Sequence, residues 1–152
     1  KEKNILCCIE PVSVAKARKL SNITLDGLYM VTPNQDELPS LSAEKNEEES
    51  VLHELLQKGV RHVWLRKGVQ GSEIIAKQSR YSLPSPKVIV KDITGAGDAA
   101  LAAWIATYCL GKNEIQCLTA AHTMAAIVLQ TQGAIVSDIN QQKLLFCNFI
   151  IK

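Results

Sequence analysis

At 152 residues and 47% apolar content, the chain is long enough to bury a real core as one domain, residues 1–152. A formal charge of +2, with Lys and Arg spread along the chain and no interleaved aromatics, argues against nucleic-acid binding. No apolar run is long enough to span a membrane and no segment reads as a signal peptide, so a cytoplasmic protein without membrane partners is expected. The five cysteines lie in apolar segments without a C-x-x-C pair and read as reduced thiols. Cys109, Cys117 and His122 match no usual zinc spacing, and His53, His62 and His122 read as structural or surface residues.

In chain order, residues 4–9 predict a buried strand ended by Glu10-Pro11, and Val12 to Leu20 predict a helix. The strand begins almost at Lys1, as though entered from upstream, so the chain reads as part of a longer protein. Gly27 precedes a short strand over 28–31, and Asn34 to Leu38 begins a short helix closed by Pro39. Residues 42–58 predict a helix with Val51, Leu52, Leu55 and Leu56 on its buried face and Gly59 as its stop. Strands follow at 60–65 and 88–90, with a hairpin return strand over 72–81 between them. Helices are predicted over 97–110, 114–130 and 138–149, with Gly133 marking the end of the second. This alternation argues for an α/β fold, a Rossmann-like α/β/α sandwich with a mostly parallel sheet.

In such sheets ligands bind beyond the carboxyl ends of the strands. Three marked segments fall there. Asn34 and Glu37, three residues apart, suit a hydrated Mg²⁺ or a phosphate held through water, or else a capped helix start. Gly68 and Gly71 suit a nucleotide cradle or an ordinary hairpin turn. Asp92-Ile93-Thr94-Gly95-Ala96-Gly97-Asp98 reads as a glycine-rich turn into a helix, whose free N–H groups favour an anion. A carboxylate beside an anion site makes sense if Asp98 takes a proton from a hydroxyl attacking a phosphate. The alternative is a helix N-terminus capped by Thr94 or Asp98.

The D-I-T-G-A-G-D run resembles the D-T-x-G-A-G-D signature of PfkB-type carbohydrate kinases, the ribokinase superfamily. Asn34-x-x-Glu37 resembles that family's N-x-x-E motif, and Val63 to Gly71 resembles its V-x-V-T-x-G-x-x-G nucleotide segment, in the same order. Glu10-Pro11-Val12-Ser13 and Thr32-Pro33-Asn34-Gln35-Asp36-Glu37-Leu38 are most similar to stretches of pseudouridine kinases.

The resemblance implies ATP-dependent phosphorylation of a sugar or nucleoside hydroxyl. Asp98 would be the base, and the N–H groups of Gly95, Ala96 and Gly97 the anion hole. Asn34 and Glu37 would orient Mg²⁺ through water; Gly68, Gly71, Thr131 and Gly133 would shape the ATP pocket. Asp92 and Ser137 would border a K⁺. Arg66 and Lys67 depart from the family pattern, and a cation there could instead pair with phosphate. In the family this motif order belongs to the second, nucleotide-binding half of a longer kinase. An absent N-terminal half, or self-association in its place, is therefore expected. Two other readings compete: a non-catalytic binding module that kept the fold, and a flavodoxin-like domain, which leaves Asn34–Glu37 and Gly95–Asp98 unexplained.

Overall fold

A computed structural model describes residues 5–44 and 47–133. Length places the chain as one domain, and within it two compact units are distinguished, one ending at Pro84 and the other beginning at Ser85.

The first unit is built on a five-stranded sheet whose spatial order follows the chain. Strands β1 (Cys8–Ile9), β2 (Met30–Val31) and β3 (His62–Arg66) run parallel, with Cys8 opposite Met30 and Met30 opposite His62. Strands β4 (Ser72–Ile75) and β5 (Arg80–Leu83) extend the sheet antiparallel. The stretch expected as one return strand is therefore two. A turn closed by the Ala76 N–H on the Ser79 carbonyl at 2.8 Å separates them.

Helix α1 (Val14–Leu20) opens at Ser13, whose hydroxyl accepts the Lys16 N–H at 3.3 Å. Val12, expected inside the helix, instead takes φ +67°, a region that β-branched residues rarely occupy. Helix α2 begins at Glu48 (Glu48–Gln57) rather than at Ser42. Ser42 is extended backbone, and its hydroxyl donates to Glu54 at 2.7 Å. Gly59 stops α2 at φ +93°, where a Cβ would lie 2.9 Å from the Asp26 Cα, so only glycine fits. Along β3 the side chains alternate. Val63 and Leu65 join Val31, Ile75, Ala17 and the α2 leucines in one buried cluster.

In the second unit, α3 (Ala96–Cys109) packs on α4 (Glu114–Leu129). Ala100, Trp104 and Thr107 are buried on α3, and Cys117, Leu118, Ala120 and Ala121 on α4. Asn113 and Gln116 form a reciprocal capping box at the start of α4. The run Val88–Val90, predicted as a strand, is not one. Pro84 and Pro86 lack donors, no ladder partner for it is present among the described residues, and Ile89 is 82% exposed. The helix expected over 138–149 lies outside the described residues. Among the described residues no helix is long and apolar enough to cross a membrane.

Candidate active site

Three parallel strands place their carboxyl ends on one edge of the sheet, and the residues that leave those ends form a charged cluster. Glu10 follows β1, Thr32 to Asn34 follow β2, and Arg66 closes β3. The Arg66 guanidinium pairs with the Glu10 carboxylate at 2.7 Å and donates to the Thr32 carbonyl at 2.8 Å. Its second terminal nitrogen lies 3.9 Å from Glu37 Oε2. The backbone adds to this, since the Arg66 N–H donates to the Pro33 carbonyl at 2.9 Å and Asn34 bridges to Arg66 in parallel register.

Asn34 and Glu37 hold each other. The Asn34 side-chain oxygen accepts the N–H groups of Asp36 and Glu37 at 3.0 and 2.9 Å, while Glu37 Oε2 accepts the Asn34 N–H at 3.0 Å. The segment is a turn, and a short 3₁₀ helix (Leu38–Leu41) follows it, in place of the α-helical turn expected. The capped-start alternative therefore accounts for the Asn34 amide. Glu37 is only 3% exposed, a carboxylate kept buried beside a guanidinium.

Among the described residues no cluster of three or more His, Cys, Asp or Glu side chains could cage a metal. A hydrated Mg²⁺ held by one carboxylate through water, with nucleotide phosphates as its other partners, fits this donor set. Thr32 Oγ1 and Arg66 Nε are buried at the same place without partners, so polar capacity remains there. Burial, with Glu114 nearby, pushes the Cys117 thiol up to about 11.

Gly68 and Gly71 sit in the connection between β3 and β4, at φ +56° and +97°. The Lys67 N–H donates to the Gly71 carbonyl at 2.8 Å, which closes the loop as a hairpin connection. Lys67 pairs with Glu48 at 2.6 Å and Glu73 at 3.0 Å. Arg66 and Lys67 are thus not open cations: Arg66 is paired with Glu10, and Lys67 with Glu48 and with Glu73 on the neighbouring strand.

In the second unit, Gly95 enters α3 at φ +78°, and the helix begins without a side-chain cap. Thr94, one of the two capping candidates, is occupied elsewhere: its N–H and its hydroxyl both donate to Asp92 Oδ1, at 2.9 and 2.7 Å. Asp98, the other, is exposed in the first turn and makes no cap bond. No side chain caps α3, and the Ala96 N–H donates to the Ile93 carbonyl at 3.3 Å, which leaves the Gly97 and Asp98 N–H groups for an anion, with the helix dipole adding to their pull.

Asp92 Oδ2 accepts the Gly133 N–H at 2.9 Å, which ties the loop to the end of α4. Thr131 donates its hydroxyl to the Val128 carbonyl at 2.8 Å, finishing the same helix. Both Asp92 oxygens accept protein donors, so a K⁺ there would share them, and Ser137 lies outside the described residues.

The bonds from the Thr94 hydroxyl and from the Thr94 and Gly133 N–H groups hold the Asp92 carboxyl down at about 2. A carboxylate with a folded-state pKa below its ordinary ~3.9 stabilises above that value and loses the contribution as pH falls. The melting-temperature gap between the wild-type protein and Asp92→Asn is therefore expected to be steady near neutral pH, to shrink below about pH 4 and to close near pH 2. Thermal melts across that range check this, and a gap independent of pH would refute it.

With the geometry in hand, the class is an α/β protein of ribokinase-like fold. Residues 3–141 match the pattern described as pfkB family carbohydrate kinase, and the chain belongs to that family. It is 30% identical over 132 residues to a ribokinase of Arabidopsis thaliana, covering 83% of this chain and 35% of the relative. Among solved structures it is similar to the Arabidopsis thaliana ribokinase complexed with ribose and ATP, with a TM-score of 0.74 and 24% identity over 97% of this chain and 48% of that one. A protein from E. coli assigned as ribokinase II, in complex with ATP and Mg²⁺, gives a TM-score of 0.71 and 25% identity over 82% of this chain and 39% of that one. The chain thus spans about a third of the length of the curated ribokinase it matches.

Sequence reasoning missed the pairing of Arg66 with Glu10 and Glu37 and its bond to the Thr32 carbonyl. The available signal was an arginine at the end of a buried strand, with glutamates just after β1 and within the 32–38 segment.

Proposed function

We propose that the protein phosphorylates a hydroxyl of a sugar or nucleoside with ATP, and that this chain supplies the base, the anion hole and the nucleotide and metal contacts. The observation that carries the reading is the start of α3, entered through a positive-φ glycine, free of any side-chain cap and followed in its first turn by an exposed carboxylate. Asp98 takes the proton of the attacking hydroxyl, while the N–H groups of Gly95, Ala96 and Gly97 receive the charge that develops on the transferring phosphoryl group. Asn34 and Glu37 orient the waters of Mg²⁺, which when bound neutralises phosphate charge. Gly68, Gly71, Thr131 and Gly133 border the nucleotide, and a K⁺ near Asp92 and Ser137 belongs to the same reading. The Glu10-Pro11-Val12-Ser13 and Thr32 to Leu38 stretches favour pseudouridine as the acceptor.

The test is a panel of pentoses, hexoses and nucleosides, pseudouridine included, offered with Mg-ATP to the full-length protein. Products are read by mass spectrometry. One acceptor gaining a phosphoryl group is expected. Hydrolysis of ATP without a phosphorylated acceptor anywhere in the panel would overturn the reading.

A further inference from the structure

The metal reading of Asn34–Glu37 leaves the guanidinium beside it unexplained. Arg66 lies among two carboxylates that are themselves mostly buried, Glu10 at 2.7 Å and Glu37 at 3.9 Å. Two negative charges against one positive leave the cluster at −1. Glu37 does not depend on Arg66 for its place, because the Asn34 N–H at 3.0 Å fixes the same oxygen. Arg66 in turn is anchored by Glu10 and by the Thr32 carbonyl, so its charge stays beside Glu37 whether or not a metal is near.

We infer that Arg66 is a positioning residue that acts through charge, a built-in counter-cation that weakens this site for a free divalent ion, so that metal enters together with nucleotide phosphates. The inference rests on the proposed metal role of Asn34 and Glu37. The reason is electrostatic. A hydrated divalent ion near Glu37 would stand close to a fixed positive charge, and charges of +2 and +1 about 6 Å apart repel by roughly a factor of ten in affinity even at the dielectric of water, about 80. Nucleotide phosphates bring their own negative charge and remove the objection.

The experiment titrates Mn²⁺ alone, without nucleotide, into the full-length protein and reads free Mn²⁺ by electron paramagnetic resonance. Arg66→Met takes the cluster to −2 and is expected to bind Mn²⁺ about tenfold tighter than wild type. Arg66→Met combined with Glu10→Gln returns it to −1 and is expected within about threefold of wild type. Equal binding by Arg66→Met and wild type, weaker binding, or a double variant as tight as the single would overturn the inference.

Loss of a buried partner can unfold a protein. Should Arg66→Met not fold, Glu10→Gln alone decides: it brings the cluster to zero and is expected to weaken Mn²⁺ severalfold, and unchanged binding refutes the idea. Phosphoryl transfer to the acceptor panel is a separate readout. If transfer persists while the Mn²⁺ effects are missing, only this inference falls. If the Mn²⁺ effects appear without transfer, only the kinase reading falls.

Discussion

Asp98→Asn is expected to lower kcat by roughly a hundredfold or more in the full-length protein, with the KM for ATP changed far less. Asparagine keeps the size and one acceptor of the carboxylate but cannot take a proton. Loss of a general base acts on the transition state and leaves nucleotide binding mostly intact. The position itself makes the test clean. Asp98 is exposed in the first turn of α3 and makes no cap bond, so its structural share is limited to the interaction of one charge with the helix dipole. That interaction is worth about 0.3–1 kcal/mol at the surface, or a melting-temperature change of roughly 1–4 °C for a chain of this size. A large fall in kcat with a nearly unchanged melt assigns Asp98 to the chemistry. An unchanged kcat would remove it from the mechanism, and the start of α3 would then be only an anion-binding helix end.

The parts of this site that were legible in the sequence are those whose chemistry is local. Two glycines and an aspartate at a helix entrance announce themselves within seven residues, and the structure keeps that geometry with Gly95 at positive φ. Asn34 and Glu37 are three apart and do meet, though each fills the hydrogen-bonding needs of the other's backbone. Thr94 does not cap α3 because Gly95 takes the N-cap position. Its hydroxyl is turned instead to the charged Asp92 carboxylate two residues back, and the helix goes uncapped. Val88 to Val90 have the β-branched character of a strand, but a strand needs a neighbour, and composition cannot supply one.

Arg66 shows the opposite limit. Its partners come from the ends of β1 and β2 and from the turn after β2, segments far apart in sequence that the parallel register alone brings to one edge. A local pattern marks the arginine as unusual for the family and stops there. The ion pairs then change what its charge can do. An open cation would draw phosphate, whereas a paired one sets the field around a neighbouring carboxylate. The same holds for Lys67 between Glu48 and Glu73.

Leu65→Ala is expected to cost about 2–5 kcal/mol, which lowers the melting temperature by roughly 4–20 °C for a chain of this size. Leu65 is fully buried on β3, the middle strand of five, and shares one cluster with Val63, Val31, Leu52 and Leu55. Truncation removes the transfer energy of the lost atoms and also leaves a cavity, because strands on both sides hold β3 in register and limit its collapse. Leu65→Met, which nearly conserves volume, is expected to cost less than about 1.5 kcal/mol. The next residue along the strand is Arg66, so the two variants also ask how firmly the core holds the charged edge. Mn²⁺ binding by Leu65→Ala below its melting point should match wild type if the strand keeps its register. Equal melts for the alanine and methionine variants would mean that Leu65 is not in the packed core described, and the position of Arg66 would need another explanation.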